Sequence, residues 1–184
     1  MTPEHLALLQ QAPASTHADD TWARLCCEQA LLAIEDGCYA VGALLVDEAG
    51  ELLCSGRNQV FASTYASAAH AEMQVLDQLE TAHAQVDRRG LTLYVSLEPC
   101  LMCYGRILLA GITRVRYLAR DRDGGFALRH GRLPAAWANL ASGLTVVQAE
   151  VDTYWLDLAE RMIDRLQDRR TMRERVVSAW RGGR

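Results

Sequence analysis

Two short stretches of this chain carry residues that can do chemistry together: Ser96-Leu-Glu-Pro-Cys-Leu-Met-Cys103 and, upstream, His70-Ala-Glu72. Leu91 to Leu97 reads as a buried strand, short and apolar and followed by a breaker. Pro99 then fits the first position of a helix, where its missing N–H costs nothing. That reading puts Cys100 and Cys103 in the first helical turn, three apart and on one face. The free N–H groups and positive dipole end of the turn stabilise thiolates there. Two thiolates at one helix end make half of a tetrahedral zinc site. His70 opens a second helix-like run, to about Asp87, and adds an imidazole with Glu72 two residues on. One imidazole and two thiolates leave the fourth position open for water, which is the arrangement of a catalytic rather than a closed structural site.

The elements that must position these residues can be read in chain order. Residues 1 to about 18 have scattered Pro and Ser and read as a loosely attached lead-in with room for one helical turn. Asp19-Asp20-Thr21 supplies cap chemistry for a helix to about Glu35, offering Trp22, Leu25, Cys26, Leu32 and Ala33 for burial, and Gly37 ends it. Ala40 to Val46 and Glu51 to Ser55 read as strands joined by Asp47-Glu-Ala-Gly50, a hairpin signal. Gly56-Arg-Asn58 leaves the second strand, and a loop of small residues (Ala62 to Ala69) leads to His70. After the Cys-bearing helix, which runs to about Ala110, come a strand from Arg114 to Ala119 and a loop from Asp121 to Gly125. A short helix from Pro134 to Ala141 and a last strand from Leu144 to Ala149 follow. A helix-containing crossover before that strand implies a parallel pair. Tyr154 to about Trp180 is amphipathic, with Leu156, Ala159, Ile163, Leu166, Val176, Val177 and Trp180 on the apolar side. The expected architecture is one α/β domain over 19–184, with its core in 21–151 and C-terminal helices over 153–180.

Composition narrows the chemistry. With 184 residues, half of them hydrophobic, the chain can build one substantial core. It contains no lysine, so all 19 basic residues are arginine. That excludes Schiff-base catalysis, a pyridoxal-phosphate lysine and a P-loop lysine. From Arg161 onward eight arginines face three acids, so this end carries +5 and the first 160 residues −9 of the net −4. Such an end can touch phosphates, but its arginines sit at helical spacing beside acids, which reads first as a solvated helix face. Cys26, Cys27, Cys38 and Cys54 read as buried small hydrophobes, and the six cysteines lack the spacing of a disulfide framework. No apolar run is long enough to cross a membrane and no signal-peptide pattern opens the chain, so a reducing cytoplasm is expected.

The pair His70-Ala-Glu72 and Pro99-Cys-Leu-Met-Cys103 resembles the cytidine deaminase-like superfamily of zinc deaminases, whose signature is H-x-E followed by P-C-x-x-C. The stretch SLEPCLMCYGRI is similar to the branch holding bacterial tRNA adenosine deaminases, guanine deaminases and fungal-type cytosine deaminases. The resemblance covers roughly Thr21 to Val151. It implies a three-layer α-β-α fold around a five-stranded mixed sheet, with a long helical region at the C-terminal end. It implies Zn2+ on His70, Cys100 and Cys103, Glu72 as proton shuttle, and Asn58 and Ala71 as substrate contacts. Relatives of this branch are commonly homodimers, which implies the same here. Water on zinc reaches a pKa near ~7 in the best-known sites. Two thiolates weaken that effect, and Glu72 beside the water makes up the difference.

Each motif has a second reading. H-x-E alone is common in surface sequence, and C-x-x-C after a strand also fits a thioredoxin-like dithiol, which leaves His70 and Glu72 without work. A structural zinc site lacks an evident fourth ligand. Asn58 also fits a turn Asn that satisfies backbone groups. Trp137 reads as core or as a roof for the pocket, Phe126 as either, and Arg129 and His130 as substrate contacts. Guanine deaminases of the branch carry an acid shortly after Gly-Phe, whereas Gly125-Phe126 is followed by Ala127-Leu-Arg-His-Gly131. Ser67-Ala-Ala-His70 and Pro134…Trp137…Gly143 resemble the free-purine enzymes more than the tRNA enzymes. The leading expectation is deamination of a free nucleobase or nucleoside, purine favoured. Adenosine-to-inosine editing of tRNA is the alternative, supported by the arginine-rich end and Ala119-Arg-Asp121.

Overall fold

The computed structural model describes residues 1–126, 133–164 and 168–182. Among them are helices α1 (Pro3–Gln10), α2 (Asp20–Glu35), α3 (Ala71–Ala82), α4 (Leu101–Leu109), α5 (Ala135–Ala141), α6 (Thr153–Asp164) and α7 (Arg169–Trp180). The strands are β1 (Gly42–Val46), β2 (Leu52–Arg57), β3 (Thr92–Leu97), β4 (Arg114–Ala119) and β5 (Thr145–Gln148), in sheet order β2-β1-β3-β4-β5. β1 is antiparallel to both neighbours, and β3, β4 and β5 are mutually parallel. The crossover through α4 and the one through α5 thus return each strand in the direction of the last, the second of them as the spacing implied.

The three layers follow from the period of the strands. On β1 the side chains alternate, so Gly42 and Leu44 face one way and Ala43 and Leu45 the other. Gly42 meets the backbone of α2, while Gly56, the partner of Ala43, meets α3. α2 and α6 pack on one face of the sheet, and α3 and α4 on the other. Every residue of β1 is buried, the pattern of a strand covered on both sides.

The close approach at Gly42 is a requirement. A Cβ there would lie 2.3 Å from the Cys26 carbonyl oxygen and 2.8 Å from Ala30 N. Neither atom can retreat without unwinding α2. Gly42→Ala is expected to cost at least the ~1–3 kcal/mol typical of overpacked cores, read as a lowered midpoint in urea denaturation. An unchanged midpoint would contradict this packing of α2 on β1.

Three expectations are corrected. The lead-in is ordered: Thr2 caps α1, Leu9 is buried, Arg24 and Tyr154 donate to the Leu9 and Leu8 carbonyls, and His5 and the N-terminal amine meet Glu35. The helix after His70 ends at Ala82 rather than near Asp87: His83 leaves helical geometry (φ −127°, ψ 31°), and the turn from His83 to Val86 brings Val86 against the core instead. Trp180, placed on the apolar side of the C-terminal helices by its spacing, is 73% exposed. Leu166 lies outside the described residues. Among the described residues no helix is long and apolar enough to cross a membrane.

Candidate active site

The parallel half of the sheet brings the chemistry to one end. β3 ends at Leu97 and β4 at Ala119, β2 ends just before Asn58, and antiparallel β1 begins just after Val41. All of these termini face a cavity of about 440 Å³, into which the N-termini of α3 and α4 deliver His70, Glu72 and Cys100. Loops beyond strand C-termini are where such sheets hold ligands, since the chain there is released from the ladder.

His70 is the N-cap of α3, with extended backbone (ψ 157°), and its ring makes no capping bond. Its Nδ1 lies 3.8 Å from Cys100 Sγ and 3.5 Å from Cys103 Sγ, and the three atoms all fall within 4.8 Å of one another. A tetrahedral centre with Zn–N near 2.0–2.1 Å and Zn–S near 2.3 Å holds nitrogen and sulfur about 3.6 Å apart. The donor set therefore fits zinc in both type and spacing. By themselves the sulfurs share a proton. A hydrogen bond from Cys103 and another from His70 pull the Cys100 thiol down to about 4, while that same pairing and burial push Cys103 up. Burial opposes charge on His70, but its bond to Cys100 and the nearby Glu72 prevail and raise its pKa.

The local geometry of the Cys pair differs from the expectation. Pro99 precedes the helix, and Cys100 is the N-cap with extended backbone (ψ 172°), so only Cys103 stands inside the first turn. The cause is a tertiary contact: Cys100 bridges Gly125 and Phe126 N donates to Pro99 O, which holds 99–100 as strand. A Cβ at Gly125 would lie 2.6 Å from the Glu98 carboxyl carbon and 2.5 Å from Asp121 O, so this bridge needs glycine.

Glu72 is 3% exposed, and its Oε2 is fully buried with no hydrogen-bond partner. Burial raises its pKa. An orphaned carboxylate oxygen beside two cysteines and a histidine is a large desolvation cost with no structural return. It fits a group whose partner is a water or a substrate. Asn58 is buried, lines the cavity, donates its backbone N–H to Val41 O (2.9 Å) and accepts Val60 N–H at Oδ1 (3.1 Å). These bonds are those of the turn reading: the backbone uses the oxygen, which leaves the amide nitrogen for a ligand. Ala71 is fully buried and absent from the cavity lining, so only its backbone N–H at the start of α3 could meet a substrate.

Other expectations resolve around these. Phe126 packs edge-on against buried Tyr104 (5.3 Å between centroids) and Trp137 covers Gly105; neither lines the cavity. Arg129 and His130 lie outside the described residues. Cys26, Cys27, Cys38 and Cys54 are buried free thiols remote from the cluster. Sequence reading missed Glu98, Asp121 and Asp123 in the lining, together with Ile163, Arg173 and Val176 from the C-terminal helices. Glu98 stands inside the Cys motif and had a local signal. The C-terminal residues had none, being sixty or more positions from the nearest motif residue.

The model of the cytidine and deoxycytidylate deaminase zinc-binding region matches residues 16–119, and the chain belongs to this family. Within it, the chain is similar to several proteins of narrower description. The tRNA-specific adenosine deaminase of Bacillus subtilis is 36% identical over 107 residues, 58% of this chain and 65% of that protein. tRNA-specific adenosine deaminase 2 of Danio rerio is 33% identical over 130 residues, 67% of this chain and 58% of that one. The matches thus span about two thirds or less of these relatives. Among solved structures, one of tRNA:A34 deaminases superposes with a TM-score of 0.65 at 27% identity, covering 77% of this chain and 98% of that one. A guanine deaminase from Nitrosomonas europaea shares the fold, with a TM-score of 0.61 at 23% identity over 88% of this chain and 93% of that chain. Zinc is the metal of the family, and His70, Cys100 and Cys103 are the cluster suited to it among the described residues.

Proposed function

We propose that the protein is a zinc-dependent hydrolytic deaminase that converts an amino-substituted free nucleobase or nucleoside, purine favoured, to its oxo form with release of ammonia. The observation that carries this reading is the buried, unpartnered Glu72 Oε2 next to a three-ligand cluster with zinc spacing. His70 Nδ1 and the sulfurs of Cys100 and Cys103 would hold the ion, which when bound acidifies a water. Glu72 takes a proton from the attacking water and delivers it to the ring nitrogen of the base as the water oxygen bonds to the amine-bearing carbon. Glu72 then carries the second proton from the new hydroxyl to the exocyclic nitrogen, the C–N bond breaks, ammonia leaves and the oxygen stays as the oxo group. The raised pKa of Glu72 suits this exchange, because a shuttle must both accept and release its proton. Asn58 would donate its amide to the base, and the backbone N–H of Ala71 would line the opposite edge.

The choice of a free substrate rests on the lining. Glu98, Asp121 and Asp123 stand at the cavity, and Arg173 is the one basic residue among the described lining. Phosphates need a basic rim, and an acidic one repels them. Editing of tRNA is the second reading, favoured by the 36% identity to the Bacillus subtilis enzyme. A panel of free bases and nucleosides assayed for ammonia, beside a tRNA anticodon stem-loop assayed for inosine, decides. Conversion of the stem-loop with no ammonia from any free compound would reverse the choice.

We infer a homodimer and a cytoplasmic setting, the latter in keeping with six free thiols. The partner copy would cover α4 and α5, where Leu101, Met102, Leu109 and Leu140 are exposed around an apolar groove. Contiguous apolar surface of this kind is what interfaces bury. Leu109→Asp is expected to convert the dimer to monomer in sedimentation equilibrium; a wild type already monomeric at micromolar concentration would refute the assignment.

A further inference from the structure

Helix α7 has the composition of a free surface helix, with four arginines and a glutamate in twelve residues, and only Met172 is buried among its described side chains. It is nevertheless seated. The Arg175 guanidinium lies 4.0 Å above the Phe61 ring centroid and donates to the Gly37 carbonyl. Trp180 Nε1 donates to the Tyr65 hydroxyl at 3.3 Å. Phe61 in turn packs against Tyr65 (5.5 Å) and Tyr39 (6.0 Å), both of which line the cavity. The anchors of α7 therefore adjoin the pocket: Tyr65 lines it, and Phe61 packs on two residues that do. From this seat Arg173 and Val176, with Ile163 of α6, complete its wall.

We propose that α7, fastened by Arg175 to Phe61 and Gly37, is the specificity wall that restricts this pocket to a free base or nucleoside. The inference rests on the deaminase reading above and deepens it. A nucleotide within RNA enters a pocket with a phosphodiester leaving on each side, and those strands need open, basic surface. Here part of the wall is a helix and part of it carries Asp121 and Asp123. A cavity of about 440 Å³ is of small-molecule size. Arg175 lines no part of the cavity and touches no reacting group, so it is a positioning residue. Its planar fork can stack on Phe61 and bond a carbonyl at once, which lysine cannot reproduce.

The test uses the full-length protein as wild type, Arg175→Ala and Arg175→Lys, with kinetics on the free compounds the wild type turns over and hydrogen exchange across 169–180. Arg175→Ala should raise KM about tenfold, the scale of one partly desolvated cation–π contact, with kcat within twofold and zinc content unchanged. Exchange in 169–180 should rise with it, and Arg175→Lys should recover only part of either. An excess of anticodon stem-loop should leave wild-type turnover unaffected and compete in Arg175→Ala. Equal exchange in wild type and Arg175→Ala overturns the proposal whatever the kinetics. An unchanged KM overturns it while leaving the deaminase reading intact. Failure of that reading is distinct: the wild type would convert the stem-loop and no free compound.

Discussion

Glu72→Ala is expected to yield a folded, zinc-loaded protein whose turnover has fallen by ~10²–10⁴-fold, the range that positioned proton transfer contributes. Two features of Glu72 separate this from a general structural effect. Its Oε2 has no hydrogen-bond partner, and the Cys103 thiol that the carboxylate does meet is also held by Cys100 and His70, so truncation strands no group. Its charge is buried, and burial raises its pKa, so removing it also removes a desolvation cost. Thermal stability should therefore hold or rise as activity is lost, the opposite of what a core carboxylate in a hydrogen-bond network would do. Zinc content, midpoint temperature and ammonia release measured on one preparation check all three. Residual turnover above about a tenth of wild type would dismiss Glu72 as the shuttle.

The second large effect is on the metal. Cys103→Ser should leave zinc well below one ion per chain, with activity falling in proportion. Cys103 is fully buried and its sulfur is 3.5 Å from His70 Nδ1, so no other side chain can swing into its place. A serine hydroxyl stays protonated and offers a poor hard donor where a thiolate is needed. Disturbing the outer partners of a ligand already costs ~10–100-fold in affinity, and losing a ligand should exceed that. Cys54→Ser, also a buried cysteine but remote from the cluster, is the control and should keep full zinc. Elemental analysis of non-oxidised protein reads both, and full occupancy in Cys103→Ser would remove Cys103 from the ligand set.

What could be read in advance was whatever local spacing dictates. The hairpin of β1 and β2, the strand before Pro99, the parallel pair β4 and β5 and the cluster of His70, Cys100 and Cys103 each follow from residues a few positions apart, or from motifs in a fixed order. Glu72 belongs with these, since two residues from a helix cap leave little freedom in where its side chain goes. Tertiary structure decided the rest. Cys100 is held extended by Gly125 from beyond β4, which no helix-start rule near Pro99 contains. α1 is docked by contacts to Arg24, Glu35 and Tyr154, up to 146 positions away, although its own sequence is that of a weak helix. Most tellingly, α7 reads as a solvated face, yet Arg175 reaches back 138 positions to Gly37 and seats the helix whose Arg173 and Val176 line the pocket. Cation–π stacking and single side-chain-to-carbonyl bonds leave no periodic trace in a sequence, whereas burial of apolar stripes and metal-ligand spacing do. The metal-ligand set was therefore legible in the chain, but the wall that α7 adds to the pocket was not.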